Sequence, residues 1–258
     1  MSGETLLGPD EPSPVALHRP DGRSPILLAC DHAGRRVPRR LGQLGLAESE
    51  FDRHIAWDIG VAAVSRRMSE ALDATLVEQL YSRLVIDCNR PPMVPNSIPV
   101  LSEATPIPGN LDLPESDREA RRREIFQPYH DAIDDTLEGR KRGGRETVLV
   151  AMHSFTPTYL GESRPWHIGT LYGRDARLAR SLRDLLSGEA GLVVGDNEPY
   201  SVSDETDYTI PVHGERRGIV HVGIEIRQDL IGGEDGQAEW AERLVRLLPR
   251  ALDGVEAR

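Results

Sequence analysis

Only two of the 258 residues are cysteine, Cys30 and Cys88, too few for a disulfide framework. No apolar stretch approaches the ~18 residues that a membrane span needs. The amino-terminal MSGETLLGPDEPSPVALHRPDGRSP lacks the basic-then-apolar order of an export signal, so a cytoplasmic protein with no membrane partner is expected. Positive charge is also scarce: 31 Lys and Arg stand against 42 Asp and Glu, a formal charge of −11. That balance argues against a nucleic-acid partner or an anionic lipid surface and leaves a small molecule as the expected ligand. An anionic ligand would need local arginines to overcome the overall field, which directs attention to Arg90 and Arg227.

What is present is enough apolar material, 38% of residues, for one large core. Residues 1–24, rich in Pro, Gly and acidic groups, read as a partly ordered lead-in, and 25–258 as a single domain. Seven short apolar runs read as buried strands: 25–30, 74–80, 82–88, 147–152, 167–173, 191–197 and 221–226. Helical periodicity occupies 49–72, 115–138, 174–187 and 237–252 between them. This alternation predicts an α/β three-layer sandwich, a mainly parallel central sheet covered by helices on both faces. The stretch 89–114 holds seven prolines and must be an irregular loop, and the basic run 139–146 reads as a solvated connection.

In such sheets ligands bind beyond the carboxyl ends of the strands. Three strand ends here carry unusual polar residues. One run leads into Asp31-His32-Ala33-Gly34, with a glycine suited to a sharp turn, and another into His153-Ser154-Phe155; a third contains Glu225 and, two residues on, Arg227. A lone strand-end histidine is usually structural, but two of them beside a glutamate point to a metal site, for which His32 and His153 are two ligands. The third is Asp58 or Asp31. Neighbours on an extended chain face opposite ways, which favours Asp58, whose other reading is a helix N-cap. A further cluster, Asp87-Cys88-Asn89-Arg90-Pro91, places Arg90 and Asn89 to bind a substrate carboxylate, or pairs Arg90 with Asp87 structurally.

The ordered set DHAGRRVP (31–38), DRHIAWDIG (52–60), RLVIDCNRP (83–91), MHSF (152–155), DYT (207–209) and GIEIRQDL (223–230) resembles the N-formylglutamate amidohydrolase family over nearly the whole chain. That family is similar in fold to the zinc carboxypeptidases and aminoacylases, with a mixed, mainly parallel sheet. The resemblance implies that His32 and His153 bind zinc or another divalent metal, that Asn89 and Arg90 bind carboxylate, and that Glu225 activates water. The carboxypeptidase pattern has a glutamate ligand three residues after the first histidine, where this chain has Arg35, so the third ligand is sought elsewhere.

The expected activity is hydrolysis of an N-formyl or N-acyl amino acid such as N-formyl-L-glutamate. Arg90, Asn89 and Arg227 would hold the substrate, and Tyr208 and His213 would close over it from a loop. The rivals are an enzyme for another N-acyl amino acid or small peptide-like amide, and a metal-free binding protein on the same scaffold. A serine hydrolase built on Ser154 lacks the Gly-x-Ser-x-Gly elbow.

Overall fold

Six of the seven apolar runs become strands of one sheet in the computed structural model, which describes residues 5–256. The strands are β1 (Val15–His18), β2 (Ile26–Cys30), β3 (Thr75–Gln79), β4 (Val148–Phe155), β5 (Ile168–Leu171), β6 (Val194–Asp196) and β7 (Val220–Arg227). Their spatial order is β1-β3-β2-β4-β7-β5-β6. The central four are mutually parallel, β5 runs antiparallel to β7, and β1 runs antiparallel to β3. Strand β2 is buried at every residue because both sheet faces are covered. Ile26, Leu28 and Cys30 pack with residues of helices α1 (Val61–Leu72), α4 (Arg177–Ser187) and α5 (Glu234–Glu256). Leu27 and Ala29 meet α3 (Gln127–Arg142) and the segment 81–110, while α2 (Glu115–Arg121) leads into α3 through a wider turn at Arg122–Phe126. The expected three-layer α/β sandwich with a mixed sheet is the observed architecture. Among the described residues no helix is long and apolar enough to cross a membrane.

Several local expectations are corrected. The lead-in supplies the edge strand β1, in register with β3 from Val15 opposite Gln79 to His18 opposite Leu76. An edge strand needs only one covered flank, so its sequence lacks the continuous apolar signal of a central one. Residues 1–4 of the lead-in lie outside the described residues. The helix expected over 49–72 begins only at Val61, because the backbone before it serves tertiary contacts: Asp58 N–H donates to His32 O, and Ala56 O accepts from Arg83 N–H and Ser82 Oγ. The basic run 139–146 is half helix. Its Arg140 is buried and donates to Pro25 O, Ile26 O and Thr75 Oγ1.

The largest departure is 82–88, which is apolar and buried yet no strand. Its backbone is satisfied by isolated bonds to loop backbone and by side chains instead of a ladder. Asn110 Nδ2 donates to Leu84 O (2.8 Å) and Pro99 O (2.7 Å), and Arg121 Nη1 donates to Val85 O (2.9 Å) and Asn110 Oδ1 (2.7 Å). Asn110 and Arg121 are fully buried. We expect Asn110→Ala to lower unfolding free energy by about 3 kcal/mol, since two carbonyls and a guanidinium lose partners together. Urea denaturation checks this, and a loss under about 0.5 kcal/mol would show that water replaces the amide.

Candidate metal centre and substrate cavity

The chain leaves β2 towards β3 on one side, whereas β4 lies on the other, so the carboxyl ends of β2 and β4 flank a reversal of strand order. His32 stands two residues past the end of β2 and His153 lies on β4. Parallel register sets Glu225 of β7 opposite His153. Gly34, just past His32, is required by contact: a Cβ there would sit 2.0 Å from Leu80 O. The third group, Asp58, arrives on the loop before α1. It is not the helix N-cap, a position held by Gly60. Its Oδ2 lies 3.2 Å from the donating Ser154 N–H.

His32 Nδ1 stands 3.4 Å from Asp58 Oδ2, and His153 Nδ1 stands 3.1 Å from the same oxygen. Donors about 2.0–2.1 Å from a tetrahedral zinc would be about 3.3 Å apart, so the spacing fits such an ion. His32 Nδ1 is buried without a hydrogen-bond partner, the condition of a nitrogen available to a cation. Behind each ring lies a carboxylate. His32 Nε2 donates to Asp87 Oδ1 at 2.7 Å, and His153 Nε2 lies 3.1 Å from Asp31 Oδ2. The Asp87 contact places a proton on His32 Nε2, while His153 faces a carboxylate from each ring nitrogen; with a cation bound, Asp31 would hold the proton on His153 Nε2 and both Nδ1 lone pairs would be turned to the ion, an outer arrangement typical of metal-bound histidine. Asp31 thus stands behind His153 rather than among the three converging donors. Arg35, where a glutamate had been sought, pairs with Asp52 and lies over the Trp57 ring at 5.4 Å.

Burial raises the energy of every charge here, and specific partners decide which groups stay ionised. Burial pushes Asp31 up, but the His153 contact outweighs it and holds the carboxyl at about 2. Asp58 and Asp87 are likewise kept ionised against burial, the first by His32 and His153, the second by Arg83. Burial acts to lower His153, yet Asp31 and Asp58 raise it well above its ordinary value. Glu225 behaves oppositely: burial pushes it up to about 7, with the charge of His153 acting against the rise. Its Oε2 has no hydrogen-bond partner. Of these groups His32, Asp58, Asp87, His153 and Glu225 line a cavity of about 720 Å³.

The remaining expected site residues are divided by the structure. Arg90 lines the cavity, donates to Thr206 O and has Nε 3.9 Å from Asp87. Asn89 also lines it, but its amide is occupied in holding a loop, accepting from Tyr208 N–H and Thr209 N–H and donating to Asp207. Arg227 is corrected: it pairs with Asp229 and lies outside the cavity lining, because β7 ends there and the chain turns into Gln228–Leu230. Tyr208 and His213 are corrected too. They pack into a buried ring cluster with Phe126 and His130, where His213 Nε2 and His130 Nδ1 are 2.9 Å apart.

Two residues were not singled out from the sequence. Arg83 donates to Asp87 Oδ2 at 2.6 Å and reaches Asp58 Oδ1 at 3.4 Å; its four-residue spacing from Asp87 was the available signal, masked by reading 82–88 as a strand. Thr209 Oγ1 donates to Asp31 Oδ1 at 2.6 Å across 178 residues, which no local pattern announces. We expect Asp87→Asn to weaken metal binding about 10–100-fold by loosening the His32 ring. Competition with a chelating dye measures it, with circular dichroism as the folding control, and unchanged affinity would remove Asp87 from this role.

A mixed α/β sheet carrying this constellation defines a protein of the hydrolase class with a candidate metal centre. The chain belongs to the N-formylglutamate amidohydrolase family, whose model matches residues 24–232. A solved gene product from Agrobacterium tumefaciens is 41% identical, with a TM-score of 0.94, covering 97% of this chain and 99% of that one. The structure of N-formylglutamate amidohydrolase from Ralstonia eutropha JMP134 is 21% identical with a TM-score of 0.68, covering 95% of this chain and 100% of that one, and shares the fold. Among curated proteins none matches the chain.

Proposed function

We propose that this protein hydrolyses the amide of an N-formyl or N-acyl amino acid, N-formyl-L-glutamate being the first candidate, with zinc held by His32, Asp58 and His153. The observation that carries this reading is the convergence of the two Nδ1 atoms and Asp58 Oδ2 at the base of a cavity that also holds the unpartnered Glu225. When bound, zinc supplies a Lewis acid that polarises an amide carbonyl and lowers the pKa of water to about 7.

The chain's own groups do the rest. Glu225 takes the proton of the attacking water at its free Oε2 and returns it to the leaving amine, the role of a buried carboxyl whose pKa lies near the working pH. Arg90 receives the substrate carboxylate, with Asn89 holding the loop at 207–209 that frames it. Arg83 keeps Asp87 ionised so that Asp87 orients His32. The two cysteines, both free and buried, suit a reducing compartment, and we place the enzyme in the cytoplasm.

Metal analysis of the purified protein, with turnover of N-formyl-L-glutamate and related N-acyl amino acids followed before and after chelation, tests the reading. We expect about one zinc per chain and turnover that is lost on chelation and restored by zinc. A protein that neither contains nor takes up a metal ion would instead be a binding protein on this scaffold.

A further inference from the structure

The cavity is large for the smallest member of the proposed substrate class. At about 720 Å³ it lies in the range of sites that enclose drug-sized ligands, whereas N-formylglutamate has only about a dozen non-hydrogen atoms. Its arginines are few and committed. Arg83 is held by Asp87 and Asp58; Arg90, which donates to Thr206 O and stands 3.9 Å from Asp87, is the less committed of the two and the one left to meet a carboxylate, and Arg227 lies outside. Among the described residues no further arginine lines the cavity for a second carboxylate.

Within a lining that is otherwise largely polar, one wall is apolar. Leu101, Phe155, Tyr159 and Tyr200 line it from three stretches of chain, and Leu101, Tyr159 and Tyr200 are exposed at 57%, 36% and 43%. Exposed rings on mobile loops would bind poorly, but these are fixed. The Arg164 guanidinium, itself outside the lining, lies 4.7 Å from the Tyr159 ring centre, 4.8 Å from that of Tyr200 and 6.0 Å from that of Phe155, and donates to the Tyr200 hydroxyl at 2.8 Å. Among the described residues Arg164 forms no ion pair, so its charge is directed to the rings. Gly169 of β5 secures the same wall: a Cβ there would sit 1.8 Å from Glu198 O, so only glycine lets the 198–200 segment lie against the sheet and carry Tyr200 into place.

From the volume, the single available arginine and the clamped rings together we infer that the enzyme's substrate is a monocarboxylate N-acyl amino acid bearing a bulky, planar apolar group, which rests on the Leu101–Phe155–Tyr159–Tyr200 wall. This rests on the amidohydrolase reading and, within it, favours such a compound over N-formyl-L-glutamate. Arg164 is a positioning residue, acting through Tyr159 and Tyr200, whose preorganisation spares the substrate the cost of ordering them.

The test compares N-formyl-L-glutamate, N-formyl-L-phenylalanine and N-phenylacetylglycine on the metal-loaded protein, by turnover and by calorimetric binding. At least one aromatic compound should exceed N-formylglutamate about tenfold or more in kcat/KM, mainly through KM, and should bind correspondingly tighter. Arg164→Met and Tyr159→Ala should each shrink that ratio several-fold. The inference is overturned if N-formylglutamate is turned over and bound as well as both aromatic compounds, or if the two variants weaken all three equally. Tighter aromatic binding without turnover of any compound would sink the amidohydrolase reading and leave the wall standing.

Discussion

Glu225→Gln should lower kcat by about 10³-fold while leaving metal content and melting temperature at wild-type levels. The amide matches the carboxylate in shape and still fills the position opposite His153, but it cannot accept the water proton at Oε2. The pH profile offers a second readout. Burial pushes the Glu225 carboxyl up to about 7, with His153 opposing, and a cation held by the neighbouring donors would draw it lower. The base is active when ionised, so kcat/KM should fall with acidity along a limb whose midpoint lies at or below about pH 7. That limb should vanish in the glutamine variant. Retention of more than about a tenth of wild-type kcat would assign the proton transfer elsewhere.

His153→Ala should lose both the metal and turnover, the latter by about 10³-fold or more, as the removal of several kcal/mol of electrophilic stabilisation implies. It also removes the cationic partner that Asp31 and Asp58 share, leaving Asp31 with Thr209 and Asp58 with Ser154 N–H, His32 and Arg83, so its stability is expected to drop by about 3 kcal/mol and its folding must be checked alongside. A measurement on the wild type avoids that complication. Proton and cation compete for the same nitrogen, and Asp31 and Asp58, working against burial, hold the His153 proton well above the ordinary histidine range. Metal binding at neutral pH should therefore release protons, and apparent affinity should climb as pH rises, the sign being set by loss of the competing proton. Calorimetry in buffers of different ionisation heat reads the release. An affinity that is flat across neutral pH would mean that His153 is not a ligand.

The parts of this site that were legible in the sequence are those fixed by strand periodicity. An apolar run that stops at a polar residue places that residue at a strand end, and His32, His153 and Glu225 were found in this way because parallel strands deliver their carboxyl ends to one edge. Asp58 was legible only as the better of two aspartates. The errors share one cause. Tyr208, His213 and Arg227 were assigned from proximity in sequence to a promising loop or strand, whereas a side chain's direction is decided by what packs beside it: the Phe126 and His130 rings in one case, Asp229 in the other. Segment 82–88 had the composition of a strand, but Asn110 and Arg121 offered its carbonyls other partners.

By itself, then, the sequence determined the layering of the fold, the sheet edge where chemistry collects, and two histidines and a glutamate placed on that edge, since each follows from local periodicity and strand ends. Tertiary structure alone decided that Asp87 and Asp31 stand behind the two rings, that Arg83 and Thr209 hold those carboxylates, and that Phe155, Tyr159 and Tyr200 meet at one side of the cavity. Several of these contacts join residues more than fifty positions apart, and Thr209 meets Asp31 across 178. No local pattern encodes them, because contacts at that distance exist only once both sheet faces are covered and buried polar atoms must find whichever partners packing has brought near.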